Sequence, residues 1–160
     1  MATEHCMQHD AAAFVRESTI RFHHCDPAGI VFYPQYLVML HEFVEQWFDD
    51  GLALPYATFI GEQRLGIPVV RLDCEFFAPS RLGDRVDLSL IVLRLGNSAI
   101  DLVLEVHGKD AYGTPELRMR AKQTVVVMSL ETHRSVAIAP SLRERMSAFL
   151  MQAEAQVPSP

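Results

Sequence analysis

Residues 23–48 read HHCDPAGIVFYPQYLVMLHEFVEQWF. The second half of this stretch has a helix written into it. Tyr36, Leu37, Leu40, Phe43, Val44, Trp47 and Phe48 recur at spacings of three and four, the period of one helical face. Val38 and Met39 widen that face, which predicts a helix buried on most sides. Pro34 suits a first helical turn, where its missing N–H costs nothing. Gly51, after Asp49 and Asp50, suits a helical stop. The first half is a turn: Asp26, Pro27 and Gly29 are turn formers placed directly before the helix.

Outward from the helix, the chain reads as strands. Residues 14–22 alternate loosely, and a strand is expected there. Residues 55–65 read as a connection with one helical turn. Val69–Phe77 reads as a strand. Val86, Leu88, Leu90 and Val92 alternate with Asp87 and Ser89, and Ile100, Leu102, Leu104 and Val106 with Asp101, Glu105 and His107, the pattern of half-buried strands. Gly96-Asn97 between these two runs marks a tight hairpin. Residues 109–115 form a longer turn, Leu117–Met128 a further strand, and a short helix follows Pro140. One strand, a buried helix and then four strands give an α+β chain: an antiparallel sheet wrapped around one long central helix, which buries both apolar surfaces. The expected division is a flexible leader over 1–13, one domain over 14–150 and a flexible tail over 151–160.

The 160 residues are 49% hydrophobic and 21% charged, which excludes a disordered chain and a coiled coil. The net charge is −6, against the basic face that nucleic acid requires. The opening residues MATEHCMQHDAAAF carry neither the basic nor the apolar stretch of a secretory signal, and no apolar run reaches membrane-spanning length, so no membrane partner is expected. Three widely spaced cysteines, Cys6, Cys25 and Cys74, do not make a disulfide framework and fit a reducing cytoplasm. His5, Cys6 and His9 have no second ligand pair at a finger-like spacing, so no metal site is expected.

The turn carries the chemistry. Asp26 lies seven positions before Tyr33, at the start of the helix, where free N–H groups favour developing negative charge. A carbonyl oxygen held there is polarised while a carboxylate acts nearby, which is the machinery of acyl-group hydrolysis. An Asp-Pro pair before a glycine also makes an ordinary turn, and the residues alone leave both readings open.

CDPAGIVFYPQY followed by an apolar helix resembles the motif of the 4-hydroxybenzoyl-CoA thioesterase family, which has the hotdog fold. Gly66-Ile67-Pro68-Val69-Val70, Phe76-Phe77 and Gly83-Asp84 resemble that family's pattern more loosely, and the likeness spans roughly residues 14–140. The resemblance implies that Asp26 is the catalytic aspartate, as nucleophile or general base, and that the Tyr33 backbone N–H points at the thioester oxygen. It implies an acyl-CoA substrate with an aromatic or short-to-medium acyl group, no cofactor beyond the coenzyme A of the substrate, and a homo-oligomer, dimer or tetramer, with active sites at subunit interfaces.

The remaining candidates are weighed singly. His24 orients Asp26, touches substrate or is a satisfied core histidine. If the strand persists, His23 is on the opposite strand face from His24, which disfavours a two-histidine metal site. Cys25 reads as a small packing residue. Gly29 serves the backbone by a positive φ or a close ligand approach. Tyr36 and His41 are candidate substrate contacts. The family commonly carries an acid at the position of His41, whereas here Glu42 follows, turned about 100° away. Asp84 fits a tight turn. Arg118, Arg120 and Lys122 alternate along one strand face and, with Arg94 and Arg134, are candidates for the phosphates of CoA or for a solvated sheet face. Two other readings remain: an acyl-CoA-binding module that needs no Asp26, and a hotdog dehydratase, of which the pair His41-Glu42 is a faint echo.

Overall fold

The computed structural model describes residues 13–151. The leader and tail thus lie, but for Ala13 and Met151, outside the described residues, as do His5, Cys6 and His9. The elements are β1 (Phe14–Thr19), α1 (Tyr33–Gln46), α2 (Tyr56–Gly61), β2 (Leu65–Gly66), β3 (Val69–Phe76), β4 (Arg85–Leu95), β5 (Ala99–Lys109), β6 (Pro115–Val126), β7 (Met128–Ser129) and α3 (Pro140–Ser147). Five strands form one antiparallel sheet in the order β1-β4-β5-β6-β3, and β2 pairs with β7.

The alternation of the strands decides which face is covered. Leu88, Val106 and Met119 stand opposite one another on adjacent strands, as do Leu90, Leu104 and Ala121, and all six are buried. Against this face α1 lays Tyr36, Met39, Leu40, Phe43 and Val44. The Phe14 and Phe43 rings stack with centroids 5.4 Å apart, fastening the helix to β1. Each such buried side chain contributes on the order of 1.5–3 kcal/mol by removal from water. The helix is less enclosed than its sequence suggests: Val38 is half exposed, and His41 and Glu42 face outward.

The helix continues as a π-helical turn over Trp47–Gly51. Gly51 is the last residue of this turn, and space selects glycine there. Its backbone is not left-handed, and a Cβ there would lie 2.7 Å from Trp47 Cδ1 and 3.2 Å from Phe14 Cδ2. The expected hairpin is present between β4 and β5, with the Gly96 N–H donating to the Ala99 carbonyl at 2.7 Å.

One expectation is corrected. β1 stops at Thr19, and Phe22–His24 form a single 3-10 turn. His23 and His24 therefore do not point to opposite faces of a strand; their rings lie 4.0 Å apart between centroids. The basic residues of β6 differ in their surroundings, and Lys122 is exposed. Arg118 is buried, with its guanidinium donating to the Pro79 and Lys109 carbonyls and 3.3 Å from Glu116. Arg120 Nε donates to Glu105 at 2.6 Å, and Arg94 Nε to Asp101 at 2.7 Å.

Candidate active site

The turn ahead of α1 is built by backbone bonds that return on themselves. Cys25 and Val31 form an antiparallel bridge, and the Asp26 N–H donates to the Ile30 carbonyl at 3.0 Å. Asp26 Oδ1 accepts the Ala28 N–H at 2.8 Å, an Asx-type turn, while the Gly29 N–H donates to the Asp26 carbonyl at 2.9 Å. Gly29 has φ +77°, and a Cβ there would meet nothing within 4 Å, so backbone conformation and not space selects glycine. Asp26 is half-buried at the mouth of this turn.

The turn feeds directly into the helix. Phe32 caps α1, and its N–H donates to the His24 carbonyl at 2.9 Å. Tyr33 is the first helical residue, so its N–H has no carbonyl within the helix to reach. Pro34 has no N–H, and the Gln35 N–H turns back to the Phe32 carbonyl at 2.8 Å. Tyr33 therefore supplies the donor at the positive end of the helix dipole. The Tyr33 side chain is exposed and meets Phe76 edge-on, with centroids 6.5 Å apart.

Beside this helix start runs an apolar groove of about 300 Å³, lined by Ile30, Val31, Tyr33, Tyr36, Phe76 and Phe77. Tyr36 forms its floor: the residue is buried and its hydroxyl donates to Ser80 Oγ at 2.8 Å. Burial pushes the Tyr36 phenol above its ordinary pKa, with the Ser80 hydrogen bonds opposing. His41 lies about two turns beyond Tyr33 along α1. It borders a separate crevice of about 200 Å³ between α1 and β3, with Leu37, Leu40, Val44, Leu72 and Gln123. His41 Nε2 is 3.1 Å from Glu45 Oε1, one turn on, and its ring meets Tyr56 edge-on. The structure thus gathers Asp26, Gly29, Tyr33 and Tyr36 around one turn and helix start, and sets His41 apart.

His24 stands behind the turn. Its ring is buried and Nδ1 accepts the Arg21 N–H at 2.9 Å. Burial is the largest cause lowering its pKa, helped by His23 and Arg21 and opposed by Glu42. Cys25 is half-buried and its thiol donates to the Arg21 carbonyl at 3.6 Å. Asp84 closes a tight turn, accepting the Arg81 N–H at 2.9 Å. No cluster of three metal-ligating side chains occurs among the described residues.

The sequence profile of the thioesterase-like superfamily matches residues 20–146, which cover the turn, α1 and every strand of the sheet except β1. The chain belongs to this superfamily. Among the relatives of this thioesterase chain is the 1,4-dihydroxy-2-naphthoyl-CoA hydrolase of Rippkaea orientalis (strain PCC 8801 / RF-1), 29% identical over 136 residues, or 84% of this chain and 89% of that protein. The 4-hydroxybenzoyl CoA thioesterase from Pseudomonas sp. strain CBS-3 superposes with a TM-score of 0.76 at 22% identity, covering 83% of this chain and 98% of that one. A 1,4-dihydroxy-2-naphthoyl-CoA thioesterase from Synechocystis superposes with a TM-score of 0.71 at 23% identity, covering 84% and 96%. These likenesses make the sheet and its central helix the hotdog fold. The enzyme class is that of thioester hydrolases.

Proposed function

We propose that this thioesterase hydrolyses an acyl-CoA carrying an aromatic or short-to-medium acyl group. One observation carries the reading: the Tyr33 amide opens the helix beside an aromatic groove, and the turn that caps that helix holds Asp26. The thioester oxygen accepts the Tyr33 N–H, which stabilises the charge that grows on it. The Asp26 carboxylate either attacks the carbonyl carbon, forming a mixed anhydride as the CoA thiolate leaves, or takes a proton from the water that attacks. In the first case water then opens the anhydride and restores the carboxylate. Both routes use only the chain's own groups and water; coenzyme A belongs to the substrate. Phe76, Phe77 and Tyr36 along the groove favour a flat acyl group. The aryl-CoA names of the curated relative and of the solved thioesterases point the same way.

The working unit in this reading is a homo-oligomer. β3 is an edge strand, and its residues Val69, Val70, Leu72 and Phe76 are exposed large apolar side chains. Joining two such edges covers them, extends the sheet and puts both grooves at the junction. The free thiols of Cys25 and Cys74 suit the cytoplasm, and no described helix is long and apolar enough to cross a membrane.

The test is release of the CoA thiol from benzoyl-, hydroxybenzoyl-, phenylacetyl- and straight-chain acyl-CoAs by wild type and Asp26→Asn. Turnover by wild type with a loss of about a hundredfold or more in the variant supports the mechanism. Turnover that survives the substitution moves the chemistry elsewhere. A folded wild type that binds CoA and hydrolyses no thioester is instead a binding module.

A further inference from the structure

His24 is a buried imidazole two positions before Asp26 that the proposed chemistry leaves unused. The residue is 8% exposed. The ring Nδ1 accepts the Arg21 N–H at 2.9 Å, and the His24 backbone N–H donates back to the Arg21 carbonyl at 3.0 Å. These two bonds close the 3-10 turn on itself. The His24 carbonyl accepts the Phe32 N–H, so the same residue is fastened to the cap of α1. One residue thereby holds both branches of the turn that carries Asp26. The partner of Nδ1 is a backbone amide, which only donates. Nδ1 is therefore unprotonated, and in the neutral ring the proton sits on Nε2.

We infer that His24 is a positioning residue: as a neutral Nδ1 acceptor it locks the turn that holds Asp26 against the start of α1, and proton uptake at Nδ1 unlocks it. The inference rests on the reading of Asp26 and Tyr33 as the reacting and oxyanion-binding groups. A proton on Nδ1 would set two donors against each other and leave the Arg21 N–H without its acceptor. The charged and titratable groups around the ring are Arg21 and His23 from its own turn and Glu42 from α1. Burial, with His23 and Arg21, outweighs Glu42 and holds the ring below the ordinary histidine value of about 6.5. The native state thus binds this proton more weakly than the unfolded chain. The stability contributed by the lock is complete above about pH 6.5 and is lost as pH falls towards the native value.

Two variants separate the lock from simple packing. His24→Asn offers Oδ1 to the same amide without titrating; His24→Leu fills space and accepts nothing. His24→Leu is expected to lose about tenfold or more in kcat at every pH, with KM changed by less than about threefold. His24→Asn is expected to hold kcat within about threefold of wild type at about pH 7.5, and to keep its rate on the acid side of about pH 6.5 where wild type declines. Wild-type kcat in His24→Leu, or an unaltered acid limb in His24→Asn, overturns the inference. Nitrogen-15 NMR of the full chain asks the same question without substrate. The His24 ring should show the Nε2–H tautomer, with the Arg21 amide shift titrating alongside it. An Nδ1-protonated ring at about pH 7.5, or an Arg21 amide indifferent to the ring, overturns the lock. A wild type that hydrolyses no thioester instead removes the reading of Asp26 and leaves the NMR result standing.

Discussion

The Tyr36 hydroxyl donates to Ser80 Oγ at 2.8 Å, joining the first turn of α1 to the segment that leaves β3. Ser80 also gives its carbonyl to the Val31 N–H at 2.9 Å, so a single buried serine ties together the helix, the Asp26 turn and the end of the groove. In Tyr36→Phe the buried Ser80 hydroxyl loses this partner. The expected cost is about 1–2 kcal/mol, and Tm falls by about 3–6 °C on thermal unfolding. Burial raises the Tyr36 phenol in the native state, so the unfolded chain ionises first. That contribution to stability is complete below about pH 10 and is lost as pH rises through the native value. Wild type should therefore lose more stability than Tyr36→Phe between about pH 9 and 11, and equal losses would remove the role given to this hydroxyl.

Gly108 is held to glycine by Arg118. A Cβ on Gly108 would lie 2.6 Å from Arg118 Nε and 3.2 Å from Cζ. An exposed arginine would swing away, but this guanidinium is buried and bound to the Pro79 and Lys109 carbonyls. Gly108→Ala should expel it and cost about 2 kcal/mol, read as a Tm lower by about 4–8 °C. Arg118→Met should be nearly additive-free with it: once the guanidinium is gone, adding the methyl costs little. A double variant that loses the sum of the two single effects would show that Gly108 matters for another reason.

The parts of this molecule legible in the sequence are those where neighbours along the chain are neighbours in space. The period of Tyr36 to Phe48 gives α1, the alternation of Val86 to Val92 and Ile100 to Val106 gives the covered face of the sheet, and Gly96-Asn97 gives the hairpin between them. Asp26, Gly29 and Tyr33 share one turn and helix start because they lie within eight residues of one another. What escaped needed a partner distant in sequence or a choice between competing local bonds. Alternation puts Arg118 on the outer face of β6, yet only the tertiary fold shows Pro79 and Gly108 closing over it. The loose alternation of residues 14–22 says strand throughout, whereas the bond from Arg21 N–H to His24 Nδ1 ends it in a turn. That histidine had a signal, a ring next to a turn-forming Asp-Pro, but nothing in the sequence fixes which way it points.

The edge strand β3 supplies the last prediction. Outside β3 the large apolar side chains of the sheet are mostly covered, yet here Leu72 is 44% exposed, Val70 62% and Phe76 51%. The proposed junction of two such edges makes this apolar surface the centre of an interface, where a charge without a partner is strongly unfavourable. Leu72→Asp is therefore expected to shift sedimentation from an oligomer to a monomer at micromolar concentration. Its circular dichroism should stay native, because the position is not part of the core. Turnover should fall with assembly, and the fall should follow protein concentration, since mass action restores the interface. Leu72 also borders the crevice beside His41, so a loss of activity alone would not identify the interface. The decisive comparison is with Val70→Asp, whose residue is not among those lining that crevice: monomers in both variants place the junction at β3, and unchanged oligomers in both remove it.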